Sequence, residues 1–258
     1  MTERARGHLF TRLLVLTGIV VGLLTMTSST ANAVGPEGKI IGGTVAPRGS
    51  WPSQVGLLFA GEPNIYQAQF CGGTLVDRQW VLTAAQCLFD DEGQKRPPAT
   101  VDVLIGTQDL ASGGTRVRAA EIRILPGWNP GTLDRDLAMV KLVSPTAQPV
   151  QAITGQGIAV PPDTEVVATG WGTMTDGEND FPTELRQVTM RQQSDATCAR
   201  AYGTSYNAAT MSCSSSPGKD TCMGDAGGPL VTRRGGQWVQ VGITSWGQGC
   251  AEPGFPGI

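Results

Sequence analysis

The chain has 258 residues, of which 40% are hydrophobic and 16% charged, and its formal net charge is −3. This balance suits a soluble globular protein with a sizeable core and excludes a disordered chain. No run of basic residues exceeds two, so nucleic acid is not an expected partner.

Residues 1–33 are predicted to be a secretory signal peptide. Three arginines precede Leu13–Met26, an apolar stretch of fourteen residues, and Ala31–Ala33 has the A-x-A form of a cleavage site. The apolar stretch is shorter than the ~20 residues that span a bilayer, which argues against the alternative, an uncleaved anchor. We therefore expect a secreted, extracellular protein with no membrane contact after cleavage. Cleavage of this signal peptide, or leader, would also remove His8, the only histidine of the chain.

The rest of the chain alternates short runs rich in Val, Ile, Leu and Thr with turn-forming residues, a pattern typical of strands. The predicted strands are Gln54–Phe59, Gln69–Val76, Trp80–Thr83, Thr100–Ile105, Thr115–Leu125, Leu137–Val143, Glu165–Thr169, Leu185–Met190, Pro229–Thr232 and Trp238–Trp246. Only Ser194–Tyr202 is predicted to be helical, with Ser194 as its N-cap. Strands without intervening helices favour antiparallel barrels or a sandwich. The Pro- and Gly-rich loop 144–164 divides them into two β units.

All six cysteines follow the leader, and an even number in an exported protein predicts disulfides. Six cysteines allow 15 pairings, and spacing alone does not choose among them. A zinc site is a poor alternative because the exported chain has neither a Cys-x-x-Cys pair nor a histidine. The acidic turn Asp90–Glu92 is interpreted as a solvated surface turn. We expect no metal and no cofactor.

Five short segments form an ordered set: KIIGG at Lys39–Gly43, LTAAQC at Leu82–Cys87, DLAMVKL at Asp136–Leu142, DTCMGDAGGP at Asp220–Pro229 and SWGQGC at Ser245–Cys250. They resemble the activation, histidine, aspartate, serine and pocket-strand motifs of the trypsin-like (chymotrypsin-fold) serine proteases. The resemblance covers Ile40–Ile258. It implies an all-β fold of two packed six-stranded antiparallel barrels, at about residues 40–145 and 146–258.

Two departures from the family pattern affect its catalytic triad, which uses a Ser nucleophile, a His base and an Asp that orients the His. The matching positions here hold Ala226, Gln86 and Asp136. Alanine has no oxygen that could attack a carbonyl, and the glutamine amide neither takes nor gives a proton near pH 7. No histidine remains in the exported chain to replace the base. We therefore predict no peptidase activity.

Other parts of the family's site have matching residues in this chain. The resemblance places an oxyanion hole at the backbone N–H groups of Gly224 and Ala226, and the floor of a substrate pocket at Asp220. The implied pocket walls are Ser245, Gly247 and Gly257. A carboxylate at the floor favours Arg or Lys side chains, so the expected ligand is a peptide or protein that carries one.

The resemblance also implies an activation step. Cleavage after Lys39 by an external trypsin-like protease would free the α-amine of Ile40, which pairs with Asp225 in the family. Residues 34–39 would then be a short propeptide. The family continues beyond the position of Gly257 with a strand and a helix, so we expect the second barrel to be incomplete. We expect a monomer.

The family's three common disulfides correspond to Cys71–Cys87, Cys198–Cys213 and Cys222–Cys250. Gln86 is expected to occupy the space of the family's histidine and to hydrogen-bond Asp136; the alternative is that Gln86 turns to solvent. Three explanations of Gln86 and Ala226 stay open: a natural binding pseudoprotease, an endopeptidase disabled by engineering, and a decaying gene product.

Overall fold

The computed structural model describes residues 41–155 and 158–258, so the predicted leader and propeptide lie outside the described residues. The strands are β1 (Thr44–Val45), β2 (Gln54–Phe59), β3 (Gln69–Asp77), β4 (Trp80–Thr83), β5 (Val101–Ile105), β6 (Thr115–Ile124), β7 (Ala138–Leu142), β8 (Ala152–Ile153), β9 (Glu165–Gly170), β10 (Arg186–Gln192), β11 (Ser214–Ser215), β12 (Pro229–Arg234) and β13 (Gln237–Ile243). The α-helices are α1 (Ile65–Ala68) and α2 (Asp195–Tyr202), and 3₁₀ turns lie at Gln86–Leu88, Pro98–Thr100 and Gly203–Ser205. In the described ranges, no helix is long and apolar enough to cross a membrane.

Strands β2 to β7 close into a six-stranded antiparallel barrel in the order β2-β3-β4-β7-β6-β5. Alternate residues of β7 are buried, which is the period of two that turns one face of a strand to a core. Every residue of β5 is buried, including Asp102. That carboxylate is stabilised by two guanidinium groups from β6, since the Nε atoms of Arg116 and Arg118 lie 2.7 and 2.5 Å from its oxygens.

The second β unit is a sheet that stays open among the described residues. Its order is β1-β10-β9-β12-β13-β8, with β11 paired to β10. Strand β8 runs parallel to β13 and the other pairs are antiparallel. The expected all-β fold, with one complete barrel and an incomplete second one, is confirmed.

Two details of the expected elements are wrong. Ser194–Tyr202 is not the only helical segment, because the Asn64 side chain accepts a hydrogen bond from the Gln67 N–H and caps the single turn of α1. The predicted strand Trp238–Trp246 ends at Ile243. Beyond that residue the backbone makes contacts with loops, such as the hydrogen bond from Thr244 N–H to the Gly228 carbonyl (2.9 Å).

A shared hydrophobic cluster joins the two β units. Leu58 and Leu104 of the barrel meet Val167, Trp171 and Val231 of the open sheet. Trp171 is 1% exposed, so the contact excludes water and fixes one unit against the other. The loops that approach this junction from either side are therefore held at defined positions.

Replacing Leu57 by Ala tests the barrel core. Leu57 is fully buried, so Leu57→Ala should lower the free energy of unfolding by about 2–5 kcal/mol, measured by urea denaturation. The matched control is Val143→Ala, because Val143 is 56% exposed, and its change should stay within about 0.5 kcal/mol. Equal losses in the two variants would contradict the assigned core.

Candidate functional site

A cavity of about 470 Å³ opens beside the junction of the two β units. It is lined by Gln86, Asp176, Asp220, Thr221, Cys222, Met223, Gly224, Ala226, Thr244, Ser245, Trp246, Gly247, Gly249, Cys250 and Gly257. The lining brings together the motif residues that the sequence predicts for a base position, a nucleophile position and a pocket. Asp136 lies just behind this lining, in hydrogen-bond contact with Gln86.

Strand pairing places Gln86 next to Asp136. The last residue of β4, Thr83, pairs with the first residue of β7, Ala138. The 3₁₀ turn that begins at Gln86 follows β4, and Asp136 precedes β7, so both residues leave the barrel at the same end.

The Gln86–Asp136 contact is a pair of hydrogen bonds. The backbone N–H of Gln86 donates to Asp136 Oδ1 and its side-chain Nε2 donates to Oδ2, each at 2.8 Å. The Ser245 hydroxyl also donates to Oδ2 at 2.6 Å. The structure therefore bears out the expected Gln86–Asp136 hydrogen bond, and the buried carboxylate has three donors.

The second amide hydrogen of Gln86 is also used. Gln86 Nε2 donates to the Ser245 carbonyl at 2.7 Å. Since Ser245 follows β13, this bond reaches from the barrel to the open sheet. Both donors of the amide are then occupied, and only its oxygen remains to face the cavity.

The loop 222–228 carries Ala226 and is clamped between the two β units. The Gly72 N–H of β3 donates to the Ala226 carbonyl, and the Gly227 N–H donates to the Thr244 carbonyl, each at 2.8 Å. Gly227 has a φ of +81°, and a Cβ there would lie 2.2 Å from Thr83 Oγ1. Only glycine fits at this position, because both the backbone conformation and the lack of space exclude a side chain.

Two backbone N–H groups of this loop are open to the cavity. The intervening Asp225 N–H donates to the Cys222 carbonyl at 3.1 Å, but the N–H groups of Gly224 and Ala226 donate to no acceptor among the described residues. A pair of unpaired N–H groups separated by one intervening residue can bind a single oxygen. The geometry is thus suited to holding a carbonyl or a carboxylate next to the Ala226 methyl.

Asp225 is fully buried beneath this loop. Its carboxylate accepts hydrogen bonds from the N–H groups of Gly172 (2.8 Å) and Cys222 (2.9 Å). Burial raises the pKa of Asp225 to about 6, and the nearby Asp220 charge adds to the effect, whereas the two hydrogen bonds oppose it. Its expected partner, Ile40, lies outside the described residues.

Asp220 forms the buried end of the cavity and is 3% exposed. Its carboxylate accepts hydrogen bonds from Thr221 N–H (2.8 Å) and Ala251 N–H (3.0 Å). Burial raises the pKa of Asp220 to about 6 despite these bonds. Because the folded state favours the protonated forms of Asp220 and Asp225, their contribution to stability is largest below pH 4 and falls as the pH rises through 6.

Three disulfides are present, Cys71–Cys87, Cys198–Cys213 and Cys222–Cys250, and these are the pairings that the resemblance implies. The last one ties the Ala226 loop to the pocket wall. In the segment that carries Cys250, the Trp246 ring packs edge-on against Tyr202 of α2 at 4.7 Å, and the Tyr202 hydroxyl donates to the Pro256 carbonyl at 2.8 Å. Helix α2 thus supports the segments that carry Gly247 and Gly257.

Asp176 is the acidic cavity residue that the sequence reasoning missed. It lies 46 residues before Cys222, in the loop between β9 and β10. The local signal is the acidic pattern Asp-Gly-Glu-Asn-Asp over residues 176–180, which by itself is typical of a solvated turn.

Residues 40–258 match the protein-family model described as Trypsin. The chain is 36% identical over 245 residues to Serine protease 56 of Homo sapiens, covering 89% of this chain and 38% of that protein. It is 38% identical over 227 residues to Transmembrane protease serine 9 of Rattus norvegicus, with coverages of 85% and 20%. It is 33% identical over 235 residues to Trypsin-1 of Astacus astacus, with coverages of 85% and 93%. The chain therefore spans less than half the length of the first two relatives and most of the third.

Replacing Gln86 tests the contact with Asp136. Gln86→Leu removes both side-chain donors and leaves the buried carboxylate short of one hydrogen bond. It should lower the free energy of unfolding by about 1–3 kcal/mol, measured by urea denaturation at pH 7. The matched control is Gln67→Leu on α1, since the Gln67 side chain is exposed and should tolerate the change. A neutral or stabilising Gln86→Leu would mean that the remaining donors satisfy Asp136.

Proposed function

The chain belongs to the trypsin-like serine protease family, and we propose that it is a secreted binding member of that family that has kept the substrate pocket and lost the hydrolytic chemistry. The observation that carries the proposal is a cavity with a carboxylate at its buried end whose rim holds Ala226 and Gln86. Neither side chain supplies a nucleophile or a base. The expected ligand is an Arg or Lys side chain of a peptide or protein.

Binding would use charge pairing at the buried end of the cavity. A guanidinium or ammonium group beside Asp220 lowers the pKa of that carboxyl and replaces the water it loses on burial. The ligand's carbonyl oxygen would accept hydrogen bonds from the Gly224 and Ala226 N–H groups. These donors belong to the backbone, so the alanine side chain does not remove them.

Hydrolysis would stop at this bound state. No oxygen at residue 226 can attack the carbonyl, and the Gln86 amide cannot take up a proton from water or deliver one to the leaving amine. In a comparable serine protease, the loss of nucleophile and base costs about six orders of magnitude in kcat. The Gln86 donors are instead used for Asp136 and Ser245, so they serve the structure of the site.

The second candidate is an endopeptidase inactivated by engineering or by gene decay. Engineering of two residues would keep the pocket, whereas gene decay gives no reason for it to persist. The retained cavity, the open N–H pair and the satisfied Asp136 therefore favour a role in binding over gene decay. We include in the proposal the secretion signal of residues 1–33 and cleavage after Lys39 by another protease. Near that position the Ile41 carbonyl accepts a hydrogen bond from Asp220 N–H at 3.1 Å, so the start of the described chain contacts the pocket.

An activity assay tests the loss of chemistry. The chain cleaved after Lys39 should show no hydrolysis of Arg or Lys amide substrates, measured by release of a chromogenic amine. Ala226→Ser alone should not restore activity, because no base accepts the hydroxyl proton. The double variant Gln86→His with Ala226→Ser should regain measurable activity. Turnover that copurifies with the unmodified chain, or labelling of one of its serines by an organophosphonate, would refute the proposal.

A pH titration of ligand binding tests the pocket. Benzamidine should bind the cleaved chain, measured by calorimetry, with an affinity that rises as Asp220 ionises. With a pKa of about 6, roughly one tenth of this carboxyl is charged at pH 5, so binding there should be about tenfold weaker than above pH 7. Asp220→Ser should abolish binding. Asp91→Asn, which removes an exposed carboxylate away from the cavity, should leave it unchanged. An affinity independent of pH would mean that Asp220 does not contact the cation.

A further inference from the structure

The loop that carries Asp176 has a defined shape. The Asp180 carboxylate accepts hydrogen bonds from the N–H groups of Met174 (2.9 Å) and Thr175 (3.1 Å), and from the Thr175 hydroxyl (2.7 Å). The far end of the loop is fixed by the Tyr66 hydroxyl, which donates to the Phe181 carbonyl at 2.9 Å. Both oxygens of Asp180 are therefore used inside the loop.

Asp176 projects from this loop onto the wall of the cavity. A carboxylate oxygen of Asp176 and the two sulfur atoms of the Cys222–Cys250 disulfide all lie within 4.8 Å of one another. On the other side, a Cβ at Gly249 would lie 3.2 Å from Asp176 Oδ2, so the carboxylate lies against the backbone of that residue. Asp176 is exposed, whereas Asp220 is buried, so the two carboxylates occupy the mouth and the inner end of one cavity.

The charge of Asp176 is unpaired. In residues 41–155 and 158–258, its carboxylate has neither a hydrogen bond nor an ion pair. No Lys or Arg belongs to the described lining of the cavity, which therefore carries two acidic side chains and no basic one. A ligand with a single cation satisfies Asp220 alone and leaves the negative charge at the mouth without a partner.

We propose that the cavity selects ligands with two adjacent basic side chains, one bound at Asp220 and the second at Asp176 on the Cys222–Cys250 wall. This inference rests on the proposed binding function, because it requires an Arg or Lys side chain in the pocket. The second contact is partly exposed, so it adds specificity and a modest gain in affinity. A ligand that crosses the site without being cut keeps both contacts for as long as it is bound.

The test compares three acetylated and amidated peptides that differ only in a central dipeptide: Arg-Arg, Arg-Gln and Gln-Arg. Calorimetry is performed at pH 7.5 and low salt, on the same cleaved preparation that binds benzamidine. The Arg-Arg peptide has two registers in which one Arg reaches Asp220, so its association constant is compared with the sum of the other two. It should exceed that sum by about two- to fivefold, which is the range expected for a partly exposed ion pair. The gain should disappear in about 1 M salt, where the screening length is near 3 Å.

The variants Asp176→Asn and Glu178→Gln distinguish the effect of the Asp176 charge from that of the other acidic residues in its loop. Asp176→Asn should remove the preference for Arg-Arg. Since the carboxylate has no structural bond, the variant should fold normally. Glu178→Gln removes a charge two residues away, outside the cavity lining, and should keep the preference. If benzamidine binds but Asp176→Asn keeps the preference for Arg-Arg, the inferred second contact is wrong and the proposed function still stands. If benzamidine does not bind the unmodified chain, the proposed function fails, and the inference with it.

Discussion

A buried carboxylate organises this molecule's site. Asp225 has no exposed surface and is the acceptor for the backbone of both Gly172 and Cys222, so it fixes the loop 222–228 from beneath. That single loop supplies the two open N–H groups, and through Cys222 it reaches the disulfide on the pocket wall. A Cβ at Gly172 would lie 2.4 Å from the Asp225 carboxyl carbon, so the neighbouring glycine is required by the same contact. The shape of the cavity wall at residues 222–226 is therefore set in part by a side chain that does not line the cavity.

Much of the fold could be predicted because the strands of the barrel carry their own signal. The alternate burial in β7 follows from burial of one face, and the apolar residues of β5, interrupted only by the ion-paired Asp102, follow from burial of both faces. The two-residue strands β1, β8 and β11 have no such signal, since a period of two cannot be recognised in two residues. The four-residue α1 is also too short to show a helical period, and its cap at Asn64 is recognisable only in the context of the following strand.

The residues of the candidate site also differ in whether local sequence could identify them. Gln86, Asp136 and Ala226 lie inside motifs, so their positions could be read from local sequence, and the structure brings Gln86 into contact with Asp136. Asp176 could not be found in this way, because its proximity to Cys222 and Cys250 arises from the packing of segments far apart in the chain. The Ser245 contacts with Gln86 and Asp136 were missed for a different reason. The bond to the Ser245 carbonyl uses the donor that Gln86 has left after its bond to Asp136, and the bond to Asp136 uses the Ser245 hydroxyl, so both depend on how the segment after β13 packs against the barrel.

The two hydrogen bonds of the Gln86 amide limit which side chains can replace it without loss of a contact. With one donor on Asp136 and the other on the Ser245 carbonyl, it fastens the end of the barrel to the end of β13. A neutral histidine has a single ring N–H, which it would give to the aspartate, and so it could not keep the second bond. Replacing Gln86 by His alone would therefore remove one hydrogen bond between the barrel and the open sheet, while residue 226 still has no oxygen that could act as a nucleophile.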